Sequence, residues 1–452
     1  MDAVFSTVRL ITVVLVLAGI AIVDVAAGSC VGLGWRQSLC IVVLTGLHCG
    51  ETRKDKQRYE KINKDIHVKK SETMITEANP FRPSAGANPP VLIGREHILD
   101  EFEESLLAGP GAPDRLLRIT GSRGSGKTVL LNALGERARI HHWEVLDETA
   151  TSGFVTRLIL TLRMHRRKTV KSVELPSFSV DGIGSATLGK VEFNDQTLPM
   201  TFRTALTECV ERIMRRHPDR GLLITIDETQ GANPRELRAL ATAIQHLIRE
   251  NRNIAIAFAG LPGMESFLLH DEVTTFLRRA TPVELKDIPL ILVRQSLLET
   301  LTDHDYDIDG DALERAVEAT HGYPFMIQLV GYNIWRKATN RHIDVDAATA
   351  GVEAARIRLG GTVHEPAVED LSEVDRTYLL AMAQDEGPSR TGEVAKRMGR
   401  DPQYAGRYRE RLLEAGIIYS PAYGYVDFTI PYLRQWLQQH AATLIMRRGE
   451  PQ

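Results

Sequence analysis

The 452-residue sequence is 43% hydrophobic and 25% charged, a composition typical of a globular protein with room for two or three domains. Its net charge of −3 excludes a globally basic nucleic-acid or acidic-lipid binder, so any such binding requires a local patch. Of the four cysteines only Cys209 lies within the globular body, which argues against a disulfide framework or a zinc site and favours a reducing, cytoplasmic compartment.

Residues 1–73 form an apolar leader with a composition unlike the rest of the chain. Leu10 to Val23 is uncharged but shorter than the ~20 residues of a membrane-spanning helix, and a Lys-rich stretch follows it. We expect a disordered leader or an over-extended start, with the working protein beginning at Met74. The alternatives are a membrane anchor, in which case the membrane is a partner, and a signal sequence. Secretion is disfavoured, because it would separate the nucleotide motif of residues 121–128 from cytosolic ATP.

The stretch GSRGSGKT, residues 121–128, follows the apolar strand signal LLRIT and precedes a helical stripe. It fits the phosphate-binding pattern G-x-x-x-x-G-K-[ST], in which backbone N–H groups surround phosphate oxygens at a helix N-terminus. In that pattern Lys127 reaches the β- and γ-phosphates of ATP, and the Thr128 hydroxyl binds Mg²⁺. The residues predicted to bind nucleotide here are Gly121, Gly124, Ser125, Gly126, Lys127, Thr128 and Val129. A glycine-rich surface turn is the alternative.

A second acidic element follows at GLLITIDE, residues 221–228. Its apolar and β-branched run indicates a buried parallel strand, and two carboxylates end it. We assign Asp227 to Mg²⁺ and Glu228 to polarising the attacking water, which makes Lys127, Asp227 and Glu228 the catalytic set. Without the phosphate loop, a strand followed by an acidic helix N-cap would be the preferred interpretation.

From residue 91 onward, strand and helix signals alternate, which indicates an α/β fold with helices on both faces of a parallel sheet. The pattern breaks at residues 172–197, where either a hairpin insertion or a long loop is expected. Arg278 and Arg279 end a helix. They are either a solvated cap that favours the helix dipole or an arginine finger that acts on the nucleotide of a neighbouring subunit.

Two helices are predicted at Asp307 to Ala319 and Phe325 to Trp335, separated by the turn HGYP. The C-terminal region then reads as a winged helix. Leu371 to Met382 is its first helix, GPSRTGEVAKRMGR gives a turn and second helix, and a third helix is capped by Asp401. Two short strands around the turn PAYG complete the pattern.

The third helix carries the candidate contacts to double-stranded DNA. Gln403, Arg407 and Arg411 recur at four-residue spacing on one face, so arginines are available to phosphates or guanine edges. The alternative is a protein-contact module, since Glu410 and Glu414 dilute the positive charge.

The motifs GRE at residues 94–96, GSRGSGKT, LLITIDET, AFAGLPG at 257–263 and HGYPF at 321–325 together resemble AAA-type ATPases of the origin-recognition-like and STAND-like groups. The resemblance covers about Asn79 to Arg434. It implies a P-loop NTPase core at 74–289, a helical lid at 290–358, a winged helix at 359–440 and a tail at 441–452. It also implies that Ile93, Gly94 and Arg95 pack near the adenine and that Pro324 lies at the nucleotide-facing turn of the lid.

The sequence departs from this family pattern at two places. Ala259 and Gly260 follow the fourth strand signal, where many such ATPases place a polar residue that senses the γ-phosphate, and the lid has no arginine beside GYP. Slow ATP hydrolysis is therefore expected. Two functions fit: a nucleotide switch coupled to DNA binding, or a STAND-like signalling scaffold in which ATP controls assembly of a homo-oligomer.

Overall fold

A computed structural model describes residues 78–84, 86, 89, 92–167, 198–264 and 277–446. The predicted leader at 1–73 and the predicted hairpin at 172–197 lie outside these residues. Within the described part of the chain, no helix combines the length and apolar character needed to cross a membrane. The described residues from Asn79 onward belong to one compact unit.

The centre of the molecule is a five-stranded sheet in which every adjacent pair is parallel, in the order β2-β3-β4-β1-β5. Its strands are β1 Leu116–Thr120, β2 Glu144–Thr149, β3 Leu222–Asp227, β4 Ile254–Gly260 and β5 Thr281–Glu284. All residues of β4 are buried, as are those of β3 up to Ile226, because helices cover both faces. The alternating sequence signals therefore predicted the α/β class correctly.

The order of the strands decides which loops meet at the site. β4 lies between β1, which leads into the phosphate loop, and β3, which ends in the carboxylates. Consequently Gly260, at the end of β4, lies between the two predicted motifs.

Among the residues that the structure describes, five helices flank this sheet. They are α1 Glu96–Ala108, α2 Lys127–Ile140, α3 Phe154–Arg167, α4 Leu198–Arg216 and α5 Pro234–Arg249. α5 begins at Pro234, because Asn233 accepts a hydrogen bond from the Arg235 N–H and proline suits the first helical position.

The lid contains four longer helical elements and a short parallel pair of strands. They are α6 Leu290–Thr302, β6 Asp307–Ile308, α7 Gly310–Thr320, α8 Pro324–Lys337, β7 His342–Ile343 and α9 Val345–Leu359. The helix predicted from Asp307 in fact begins at Gly310. Asp307 and Ile308 pair with β7 instead, so backbone pairing from a distant segment overrides local helical spacing.

The C-terminal module has the three predicted helices and a small antiparallel sheet in the predicted order, followed by a fourth helix. Its elements are α11 Glu373–Met382, β8 Ser389–Arg390, α12 Thr391–Arg397, α13 Pro402–Glu414, β9 Ile418–Tyr419, β10 Tyr425–Phe428 and α14 Leu433–Met446. The strands pair in the order β8-β10-β9. α11 begins two residues after the predicted Leu371, because Ser372 and Asp375 form a reciprocal capping box. α13 has the predicted Asp401 cap.

The lid and the C-terminal module share one hydrophobic cluster rather than two separate cores. Helix α9 continues through a π-helical turn, Gly360–His364, into α10 Glu365–Glu369. The boundary predicted between 358 and 359 thus falls inside a continuous helical run. Likewise α14 extends to Met446, across the start of the predicted tail at 441.

Candidate nucleotide-binding site

The phosphate loop connects buried strand β1 to helix α2, which begins at Lys127. Gly124 and Gly126 have φ of +74° and +93°, values that L side chains rarely adopt, so glycine is needed at both positions. No atom lies within 4 Å of the position that a Cβ of Gly126 would take. The loop therefore presents open backbone at the N-terminus of a 14-residue helix, where its dipole favours an anion.

The ammonium of Lys127 lies inside the loop. Its Nζ donates to the carbonyl oxygens of Gly121, at 3.0 Å, and Ser122, at 2.8 Å. Burial lowers the pKa of Lys127, while the carboxylates of Glu228 and Asp227 oppose that shift. In this structure the buried ammonium donates to neutral carbonyl oxygens, so a phosphate that enters the loop would offer it a stronger, charged acceptor.

Ser125 supplies a test of whether a phosphate fits this loop. Its Oγ is buried and has no hydrogen-bond partner among the described residues. A buried hydroxyl without a partner costs free energy, and an anion in the loop would satisfy it. The donors present, namely this hydroxyl, the Lys127 ammonium and free N–H groups, are those that bind phosphate.

Strand β3 brings its carboxylates to the same place. The Thr128 hydroxyl donates to Asp227 Oδ2 at 2.6 Å, although the two residues are far apart in sequence. Glu228 follows with φ of +54°, an uncommon conformation for a residue other than glycine, and its side chain is exposed. A hydroxyl and a carboxylate in contact match the oxygen ligands that Mg²⁺ prefers, so this pair fits the metal.

A cavity of about 320 Å³ adjoins the loop and Glu228. The predicted site residues that line it are Ile93, Arg95, Gly124, Ser125, Gly126, Lys127, Thr128, Val129, Glu228 and Pro324. Three predicted residues do not line the cavity but neighbour residues that do. Gly94 lies between Ile93 and Arg95 in the chain, Gly121 accepts a hydrogen bond from Lys127, and Asp227 accepts one from Thr128. The lining also includes apolar side chains that suit a base or ribose face, namely those of Leu92, Ile93, Phe325 and Ile327.

The lid is joined to the phosphate loop through the GYP turn. The fully buried Tyr323 donates its hydroxyl to the carbonyl of Arg123, and Gly322 accepts a 2.8 Å hydrogen bond from the Ile288 N–H. A Cβ at Gly322 would lie 2.2 Å from the Ile288 carbonyl oxygen. The turn is thus more than a connection between helices, because its tyrosine directly supports the loop.

Comparison with known proteins identifies the nucleotide-binding part of the chain. Residues 91–256 match the family described as AAA ATPase domain. This segment of the chain is therefore similar to an AAA ATPase domain. Residues 361–437 match a second family, described as a domain of unknown function, DUF8462. Among curated proteins, no sequence matches the chain significantly.

Two solved structures share the fold of this chain. The Walker-type ATPase PABY2304 of Pyrococcus abyssi is 17% identical, with a TM-score of 0.56, and the match covers 77% of this chain and 96% of that one. The ORC2 protein of Aeropyrum pernix, solved in ADPNP–ADP complexes, is 14% identical, with a TM-score of 0.52 and coverage of 83% and 99%. The predicted P-loop ATPase class is confirmed.

Sequence reasoning missed the part of the AAA ATPase site that comes from beyond the lid. Thr362, Val363 and Pro366, within the predicted winged-helix segment, line the nucleotide cavity. Arg123 of the loop also forms a 3.2 Å ion pair with Asp370, although both side chains are largely exposed and the pair contributes little stability. The continuous helix from α9 into α10 places these residues beside the ATPase core. This placement depends on tertiary structure, so no local sequence pattern indicates it.

The remaining predicted residues lie away from this cavity. Arg278 and Arg279 are exposed in a 3₁₀ turn that leads into β5, and the finger role stays a prediction. Gln403, Arg407 and Arg411 share the exposed side of α13, as their spacing predicted. However, Arg411 pairs at 3.0 Å with Asp375, whose side chain is 1% exposed.

Proposed function

We propose that this AAA ATPase hydrolyses ATP slowly with Mg²⁺ and acts as a nucleotide switch coupled to DNA binding. The observation that carries the ATPase part is the 2.6 Å contact between Thr128 and Asp227 beside the buried Lys127. Phosphate donors, metal ligands and an exposed glutamate converge at one end of the sheet, next to one cavity.

Each residue has a distinct role in the proposed reaction. Lys127 holds the β- and γ-phosphates, and Thr128 and Asp227 hold the metal. Glu228 orients the water that attacks the γ-phosphorus and accepts its proton. When bound, Mg²⁺ neutralises charge on the transferring phosphoryl group.

Slow turnover follows from the end of β4. Ala259 and Gly260 bring no polar side chain to the point between the phosphate loop and Asp227. Fewer preorganised donors at the transferred phosphate mean weaker transition-state stabilisation. The chain therefore suits a switch that holds ATP for long periods rather than a motor.

Coupling to DNA is proposed through the C-terminal module, which we interpret as a winged helix. The Gly263 N–H, in the loop after β4, donates a 2.9 Å hydrogen bond to the carbonyl of Glu414 at the end of α13. Pro262 of the same loop lies 3.0 Å from the position of a Gly416 Cβ. A shift of this loop with nucleotide state would move α13, whose exposed side carries Gln403 and Arg407.

A signalling scaffold is the second candidate, and the Arg411–Asp375 pair favours it. This pairing removes one cation from the proposed DNA surface, and the net charge of −3 adds no long-range attraction. In that function ATP controls assembly of a homo-oligomer in the cytoplasm, and Arg278 or Arg279 reaches the nucleotide of a neighbour.

Single-turnover hydrolysis of radiolabelled ATP tests the ATPase proposal. Glu228→Gln should retain ATP affinity and slow hydrolysis by roughly 100-fold or more, since it removes the group that activates water. Asp311→Asn, which removes an exposed acid on α7, is the control. Unchanged hydrolysis in Glu228→Gln would show that the water is activated elsewhere.

A further inference from the structure

Gln230 lies two residues beyond the proposed catalytic glutamate, in the 3₁₀ turn Thr229–Gly231. Both ends of its side-chain amide are occupied. The Nε2 donates to Glu228 Oε2, and the Oε1 accepts a 3.0 Å hydrogen bond from the Leu261 N–H. The amide therefore joins the glutamate to the first residue after β4.

The space that this amide occupies exists because residue 260 is glycine. A Cβ at Gly260 would lie 2.7 Å from Gln230 Oε1 and 2.8 Å from Met264 Sδ. The backbone does not require glycine, since Gly260 is not among the positive-φ glycines. The Gln230 amide therefore occupies the space that a side chain at residue 260 would fill.

The position of β4 in the sheet places the Gln230 amide near both motifs of the site. β4 is flanked by β1, which leads to the phosphate loop, and by β3, which leads to Glu228. A polar group at the end of β4 consequently lies between the two halves of the site. In this chain the amide reaches that point from the neighbouring loop.

We propose that Gln230 is a positioning residue for ATP hydrolysis: its amide, held in the gap left by Gly260, fixes the orientation of the Glu228 carboxylate toward the attacking water. The inference rests on the proposed ATPase function and deepens it. Glu228 is exposed, and within the described part of the chain the Gln230 amide donates a hydrogen bond to its carboxylate. Releasing the carboxylate should cost turnover without weakening ATP binding.

Two substitutions of Gln230 separate its two hydrogen bonds. Gln230→Glu retains an acceptor for the Leu261 N–H but replaces the donor to Glu228 with a second carboxylate. Gln230→Leu removes both bonds at similar volume. Both should lower kcat by about 10- to 100-fold, with the Kd for a non-hydrolysable ATP analogue and KM unchanged. Gln245→Leu, on the exposed side of α5, is the matched control.

Moving the polar group back onto β4 provides a rescue test. Gln230→Ala should lose turnover like Gln230→Leu, and adding Gly260→Asn should restore part of it, because the removed side chain leaves room for the new one. Gly260→Asn alone meets Gln230 and should lower kcat. A purely structural role would instead lower the melting temperature and leave kcat of the folded fraction unchanged.

The outcomes separate failure of the Gln230 role from failure of the proposed ATPase function. If Glu228→Gln abolishes hydrolysis while both single Gln230 variants retain wild-type kcat, Gln230 does not position the glutamate. If Glu228→Gln hydrolyses ATP normally, the water is activated elsewhere and Gln230 has no catalytic glutamate to position. If the wild-type protein does not hydrolyse ATP at all, the ATPase proposal itself fails. Loss of kcat in the Gln230 variants, together with rescue by Gly260→Asn, establishes the positioning role.

Discussion

The hydroxyl of Thr128, at the start of α2, donates a 2.6 Å hydrogen bond to Asp227 at the end of β3, across the intervening strand β4. The pair joins the two motifs that the sequence places 99 residues apart. Hydroxyl and carboxylate are already in contact, so little reorganisation is needed to hold a divalent cation between them.

Asp227→Asn should therefore raise the Mg²⁺ concentration needed for half-maximal ATP hydrolysis by about tenfold or more. The single amide oxygen can still accept from Thr128, but it cannot also accept from the Glu228 N–H, which Asp227 Oδ1 now does. The negative charge that binds the metal is lost. Mg²⁺ titrations of ATPase rate in wild type and Asp227→Asn measure this shift. Superimposable titration curves would remove Asp227 from the metal site.

The exposed side of α13 gives a prediction that separates DNA contact from stability. Arg407→Ala should reduce the salt dependence of duplex binding by about one unit of slope, with stability changed by less than about 0.5 kcal/mol. Arg411→Ala should also destabilise the fold, by roughly 1–2 kcal/mol, because it leaves the buried Asp375 without its cation. Urea unfolding and fluorescence anisotropy at several salt concentrations measure both effects.

The control for α13 is Arg315→Ala, an exposed arginine on α7. It should change neither the salt slope nor the urea midpoint. If Arg407→Ala binds DNA with the parent slope, Arg407 does not contact phosphate. Equal stability of Arg411→Ala and wild type would mean that Asp375 is satisfied by Ser372 alone.

Buried His364 should make stability fall in mild acid. Its Nε2 lies 2.8 Å from the Pro431 carbonyl oxygen, and burial lowers its pKa from 6.5 to about 4. Because the folded pKa is below the unfolded value, the unfolded chain binds the proton more readily. The contribution is present above pH 6.5 and is lost as pH falls toward 4, by roughly 3 kcal/mol in full.

Thermal unfolding from pH 7 to pH 4.5 checks this in wild type and His364→Gln, which retains an Nε2 donor for the carbonyl. Glutamine does not titrate, so the melting temperature of wild type should fall more than that of His364→Gln as pH falls. A constant difference in melting temperature across this range would mean that His364 does not cause the loss of stability in acid.

The finger role of Arg278 and Arg279 predicts complementation between two inactive proteins. Arg278→Ala or Arg279→Ala should lose hydrolysis but retain ATP affinity if that side chain acts on a neighbouring subunit. Mixing the inactive variant with Glu228→Gln protein should restore part of the activity through mixed interfaces. Failure to restore activity, without any ATP-dependent increase in mass, would leave both as cap residues.

Local chemistry explains which features could be predicted from sequence. The phosphate loop, β3 and the Asn233 and Asp401 caps depend on residue type at fixed short spacing, and such signals are visible in one sequence. Gln230 and Tyr323 act through partners that strand order and lid docking bring near. Their contacts with Leu261 and Arg123 depend on tertiary structure, which no periodicity encodes.

Tertiary structure also determines the path of the chain after the lid. The π-helical turn at Gly360 and Gly361 continues the hydrogen-bonded helix through both residues. This continuity places Val363 and Pro366 in the nucleotide cavity. Local sequence spacing does not reveal this continuity.

The central claim, that ATP state and DNA binding are coupled, is tested most directly with Glu228→Gln protein and a fluorescent DNA duplex. Anisotropy at fixed low salt gives the duplex Kd with saturating ATP and Mg²⁺, with ADP, and without nucleotide. We expect ATP to tighten DNA binding by about fivefold or more, and DNA to tighten ATP binding by the same factor. One Kd in all three states, or no DNA binding in any of them, would contradict it.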